Sequence, residues 1–184
     1  VTPLPEIPWY MDLGARAKTR WKECPTDLKG AVSDFIEQGY VVLRHSVADE
    51  TVAAAKRAFF AHKQKFAHLY EQFQDRNGLA RRVTNLHMAL DAIKNVYVAN
   101  EQALRVQDYL FGAPSMCYSG LLFEAGSEQP LHRDSPYFCT VPEYYYLGVW
   151  VALEPVDADN GALEVVEGGH LLQEPDRFEI VGRF

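Results

Sequence analysis

The spacing of apolar residues changes character near Pro114. Before it they recur at three and four. In Thr26–Gln38, Leu28, Ala31, Val32, Phe35 and Ile36 fall on one face and Gly39 stands where a C-terminal cap belongs, which predicts a short amphipathic helix. Tyr40–Leu43 is β-branched and aromatic and predicts a buried strand. Ala48–Phe73 aligns Val52, Ala55, Phe59, Phe66, Leu69 and Phe73 and predicts the longest helix. Asn100, followed by Glu101, opens a third helix that carries Leu104, Val106, Tyr109 and Leu110 and stops at Gly112 and Pro114. Residues 1–25, with Pro3, Pro5, Pro8, Trp9 and Trp21, predict an irregular arm held by its aromatic side chains.

After Pro114 the apolar runs are short and bounded by Gly, Pro, Asp and Asn, a pattern of antiparallel strands. Met116–Phe123, Leu131–Asp134, Tyr145–Leu153 and Ala162–Val166 are the candidates, with a reversal at Asp157–Gly161 whose Asn-Gly pair suits positive φ. Helices followed by strands predict an α+β chain built on a jelly roll or barrel. Without repeats or a linker-like stretch, the 184 residues read as one domain: an arm over 1–25, a mainly helical part over 26–112 and a β part over 113–184.

Charge narrows the partners. The chain carries a net −7, and the excess is concentrated: residues 1–92 hold 13 basic and 11 acidic side chains, residues 93–184 only 5 and 14. Neither a phosphate backbone nor an anionic membrane surface suits that sign as a partner. Cys24, Cys117 and Cys139 are odd in number and match no metal or disulfide spacing, and no apolar run reaches spanning length, so a cytoplasmic protein is expected.

The stretch with most chemical content is Gln129–Tyr137. Residues two apart on a strand share a face, so His132 and Asp134 can offer an imidazole nitrogen and a carboxylate oxygen to one metal ion. Alone, an H-x-D is a weak signal. Here it is followed in order by GVWVALE at 148–154 and by NGALEVVEGGH at 160–170. In this linked order the chain resembles the phytanoyl-CoA dioxygenase family, closely over about 115–172 and in element order over 26–112.

That resemblance implies a double-stranded β-helix with the N-terminal helices packed on it. It implies Fe(II) held by two His and one carboxylate, with 2-oxoglutarate and O2 in the open positions. His132 and Asp134 are then the first two metal ligands. Trp150 and, more weakly, Tyr118 line the 2-oxoglutarate pocket, while Tyr137 and His170 face the substrate. Asp134 also separates the chain from related halogenases, which carry a small residue there. The implied activity is hydroxylation, or another oxidation, of a small organic metabolite with decarboxylation of 2-oxoglutarate to succinate.

Two departures stand beside it. The third His, and the Arg that pairs with the distal carboxylate of 2-oxoglutarate, are expected past Phe184; with Val1 in place of a Met start, the sequence reads as a piece of a longer protein. Glu167 also replaces the family's proline. The competing expectations are an inactive jelly-roll binding module or fragment without the third ligand, and a cupin-like metalloenzyme that uses His170 as ligand. His45, His62, His68 and His87 are read as structural or solvated, Tyr144–Tyr146 as a packing cluster, and Glu154, Asp157 and Asp159 as a solvated turn.

Overall fold

The computed structural model describes residues 4–12, 14–126, 129–134, 137–138 and 140–172. Six helices fall between Ala15 and Phe111: α1 (Ala15–Glu23), α2 (Lys29–Gln38), α3 (Asp49–Lys65), α4 (Ala67–Tyr70), α5 (Asp91–Val98) and α6 (Glu101–Phe111). Two short strands, β1 (Val83–Thr84) and β2 (Leu121–Leu122), pair antiparallel with Val83 opposite Leu122. Hydrogen bonds from Asn85 N to Gly120 O and from Glu124 N to Ala80 O lengthen that contact at both ends.

The local chemistry of the helices matches their ends. Gly39 closes α2 at φ +85°, and Gly112 closes α6 at φ +71°. Both conformations are cheap only for a residue without Cβ. At the other end of α6 the buried Asn100 accepts the Ala103 N–H at 3.1 Å, a cap worth about 1 kcal/mol.

Two apolar clusters hold these elements. α3 and α5 enclose the first, where Ala55, Phe59, Ile93 and Val96 are buried with Val83 of β1. The second joins the N-terminal arm to α2 and α6 through Trp9, Cys24, Leu28, Val32, Val106 and Leu110. Trp9 Nε1 donates to Tyr109 O at 2.9 Å, the Tyr109 hydroxyl donates to Arg20 O, and the Arg20 guanidinium lies 4.7 Å from the Tyr109 ring. The arm is thus anchored by its aromatics as expected, but its second half forms α1. The prolines that forbid a helix at the start lie before it, and Ala15–Glu23 contains none.

The long predicted helix breaks after Lys65. Phe66 sits at φ −119°, ψ 37°, outside helical space, and the chain restarts as α4. The apolar stripe accordingly buries Ala55 and Phe59 but leaves Leu69 half exposed, and the side chain of Phe73 lies outside the described ones. His62, expected in solvent, instead has Nδ1 2.7 Å from the Tyr70 hydroxyl and its ring 4.7 Å from that of Phe66. α5 was not foreseen; it has no side-chain cap and is held by Ile93 and Val96 against α3.

The strand expectations differ most from the structure. Among the described residues only Leu121–Leu122 of Met116–Phe123 is strand, and Tyr40–Leu43, Leu131–Asp134, Tyr145–Leu153 and Ala162–Val166 carry no ladder. The physical reason is pairing: a β-branched or alternating sequence is compatible with a strand, but strand structure requires a neighbour to take its N–H and C=O groups. Val42 and Val165 are exposed, as side chains without a covering layer are. The alternation of 145–153 still acts, since Leu147 packs on the second cluster and Val151 and Leu153 on the first. The reversal forms as read: Ala162 N and Asn160 N donate to Asp157 O, and Gly161 takes φ +101°. The chain is therefore mixed α and β, with a small sheet, and no described helix is long and apolar enough to cross a membrane. Cys24 and Cys117 are free thiols; Cys139 lies outside the described residues.

Candidate functional site

The H-x-D segment follows β2 and lies at the surface. His132 Nε2 and Asp134 Oδ1 are 3.4 Å apart, so the side chains two positions apart do meet. His132 Nδ1 lies 2.8 Å from Pro130 O. A carbonyl can only accept, so Nδ1 carries a hydrogen and Nε2 is the ring atom turned to the carboxylate. At this distance the two atoms can share a cation, a proton or a metal ion. Asp134 is held through its main chain as well, because its carbonyl accepts the N–H groups of Tyr137 at 2.8 Å and Phe138 at 3.0 Å.

An aromatic wall adjoins the carboxylate. Phe138 and Tyr146 stack with ring centroids 4.8 Å apart and planes at 5°, and Tyr118 meets both edge-on at 6.4 and 6.5 Å. Burial, with the nearby Asp134 charge and then Tyr118, pushes the Tyr146 hydroxyl up to about 12. In the folded metal-free chain Tyr146 keeps its proton to that pH, whereas in the unfolded chain it loses it near 10. The folded state then binds more protons, so this contribution to stability is complete below about pH 10 and lost as pH rises to about 12. Tyr146→Phe is expected to flatten the alkaline stability curve over that interval and to remove a late-titrating phenol from an ultraviolet titration.

Gly148 lies beside the same carboxylate: a Cβ built there would stand 3.9 Å from Asp134 Oδ2. The segment leading to Trp150 therefore passes the candidate site, and the Trp150 and Tyr118 side chains are both about half exposed. Tyr137 is also half exposed, one residue from the stacked Phe138.

His170 is placed differently. Its Nε2 donates to Ile36 O of α2 at 3.0 Å, its Nδ1 is buried without a hydrogen-bond partner among the described residues, and its ring is 6.2 Å from Phe35. Among the described residues no third His, Cys, Asp or Glu joins His132 and Asp134, so the use of His170 as a ligand finds no support in this arrangement. Lys56 and Arg57 pair with Glu154 and Glu50, and Asp157 Oδ1 accepts the Asp159 N–H within its exposed turn.

Sequence reasoning singled out neither Arg133 nor Phe138; within the Tyr144–Tyr146 run read as a packing cluster, Tyr146 packs on Phe138 and Tyr145 on Phe111. Arg133 Nη2 donates to the carbonyls of Gly169 and Leu172, 36 and 39 residues away, and no local pattern announces a contact across that separation. For Phe138 the signal is the density of aromatic residues over 137–146.

No curated protein and no solved structure matches the chain. The sequence model of the phytanoyl-CoA dioxygenase family does, over residues 35–180, a span that includes the end of α2, the helices from α3 onward, the H-x-D pair, Trp150 and the turn of His170. The family is one of Fe(II)- and 2-oxoglutarate-dependent oxygenases, and with most of its length matched this chain belongs to it.

Proposed function

We propose that the chain contributes the metal- and co-substrate-binding part of an Fe(II)- and 2-oxoglutarate-dependent dioxygenase that hydroxylates a small, weakly polar organic metabolite. The observation that carries this reading is the 3.4 Å approach of His132 Nε2 to Asp134 Oδ1 with Nδ1–H engaged by Pro130 O. Two ligands bound at right angles with bonds of about 2.1 Å stand about 3 Å apart, so the pair needs little adjustment to share an ion. Imidazole and carboxylate are also two of the three donors in the facial set that suits non-haem Fe(II). A carbonyl partner on the second ring nitrogen is the usual way a metal-binding histidine is oriented. The residues present fit the metal.

Bound there, Fe(II) with 2-oxoglutarate supplies O2 activation: the co-substrate gives succinate and CO2, and the second oxygen atom enters a substrate C–H bond. The chain's own residues prepare the place. Pro130 O fixes the His132 tautomer, and the Tyr137 and Phe138 N–H groups hold the Asp134 main chain. Tyr118 and Trp150 serve as the co-substrate side, Tyr118 through a hydroxyl that can donate to a carboxylate. The Phe138–Tyr146 stack packs beside Tyr118 on that flank. Tyr137 and the turn of His170 bound the substrate side. We assign the β part, residues 113–184, to a jelly roll, and the whole chain to one domain.

The test is succinate formation by the full-length protein given Fe(II), 2-oxoglutarate and O2. Succinate above the metal-free background, even without the physiological substrate, supports the reading. Its absence, with no Fe(II) or Co(II) bound, sinks the reading and leaves a non-catalytic module.

A further inference from the structure

The segment that carries the candidate ligands is fastened from behind. Side chains alternate along an extended segment. His132 and Asp134 meet on one side, and Arg133 between them reaches elsewhere, its Nη2 donating to Gly169 O at 3.1 Å and Leu172 O at 3.2 Å. Those carbonyls belong to the first residue of the 3-10 turn Gly169–Leu171 and to the residue that closes it. That turn is fixed in its own right, since Gly168 N donates to Gln38 O at 2.7 Å and His170 Nε2 to Ile36 O at 3.0 Å. Both acceptors belong to the last turn of α2, where carbonyls lack helical partners. Gly39 completes the fit, because any Cβ at this left-handed position would collide with His170 Nδ1.

An unbroken series of hydrogen bonds thus runs from the end of α2, through the turn at 168–172, to the residue between the two ligands. We propose that Arg133 is the positioning residue of the metal centre. By holding two main-chain carbonyls of an anchored turn, it sets the height and tilt of the 132–134 backbone, and so the spacing of His132 Nε2 and Asp134 Oδ1. The inference rests on the reading of that pair as a metal centre. Residues behind a ligand act on affinity and coordination geometry and typically change metal binding by about 10- to 100-fold. A planar guanidinium fixes direction in a way an ammonium does not.

The test is Co(II) binding by the full-length protein, followed by visible absorption, which reads affinity and ligand geometry without turnover. Arg133→Ala is expected to weaken Co(II) about tenfold or more and to alter its absorption bands, at a temperature where circular dichroism shows the chain folded. Arg133→Lys keeps the charge and stem and is expected to recover less than half of that loss; should the alanine variant not fold, the lysine variant decides by the same two readouts. Wild-type affinity and spectrum in the deciding folded variant would overturn the proposal, even if its melting temperature falls. His132→Ala separates the two ideas. Loss of Co(II) in His132→Ala with none in the Arg133 variant removes the positioning role alone, whereas retention in His132→Ala, or no Co(II) bound by the unaltered protein, removes the metal centre and the positioning role together.

Discussion

His132→Ala and Asp134→Ala are each expected to abolish 2-oxoglutarate turnover in the full-length protein. Both side chains are partly exposed, at 35% and 45%, and neither belongs to an apolar cluster, so their removal leaves the fold with little to lose. The chemistry has much to lose. Metal-supplied charge stabilisation is worth several kcal/mol, and at about 1.4 kcal/mol per tenfold this is about a thousandfold in succinate formation. Asp134→Asn keeps the shape and removes the charge, and it brings a second readout. The carboxylate is one cause of the raised Tyr146 hydroxyl, so in metal-free Asp134→Asn the Tyr146 titration is expected to move down from about 12 toward the ordinary phenol range. An active His132→Ala variant with wild-type metal content would remove the assignment. An Asn variant in which Tyr146 does not move would place the carboxylate away from the aromatic wall.

The juxtaposition of these two side chains was legible because it depends on one local rule, the two-residue period of extended backbone. The same holds for the helices whose ends are written in residue types, α2 with Gly39 and α6 with Asn100 and Gly112. α5 is stable for another reason: Ile93 and Val96 meet Ala55 and Phe59 in one cluster, a fact of packing and not of any cap. The strands illustrate the complementary limit. Leu147, Val151 and Leu153 turn inward in alternation as the pattern requires, yet a ladder depends on a partner chosen from elsewhere in the chain. Arg133 was illegible for the same reason. Its partners are main-chain carbonyls, which every residue carries, so no side-chain pattern marks them.

Between the helical layer and the site-bearing segment, one polar contact is expected to dominate the response to mutation. Lys63 of α3 donates from Nζ to Glu124 Oε2 at 2.5 Å and to Gly78 O at 2.9 Å, and Glu124 Oε2 also accepts the Ala80 N–H at 2.7 Å. Both side chains are largely shielded, at 18% and 13% exposure, and Glu124 stands two residues after β2 on the way to His132. A pair this shielded adds little over a well-packed apolar pair, because desolvation offsets the attraction. Removing one member is a different matter, since it strands a charge in a poorly hydrated place. Glu124→Ala leaves the Lys63 ammonium with one carbonyl and Ala80 N without its acceptor, and is expected to cost about 3 kcal/mol. For a chain of this size that is a fall of about 6–12 °C in melting temperature. Lys63→Met is expected to cost less, about 2 kcal/mol, because Glu124 keeps the Ala80 N–H and can reach water past a shorter neighbour. The double variant Lys63→Met/Glu124→Gln should recover part of both losses, as neither charge remains and the amide still accepts from Ala80 N. Urea denaturation of the unaltered protein, Lys63→Met, Glu124→Gln and the double variant closes the cycle and measures the coupling directly. Additive losses would mean that the two side chains stabilise the fold independently, whereas a double variant more stable than Glu124→Ala identifies the stranded charge as the cause.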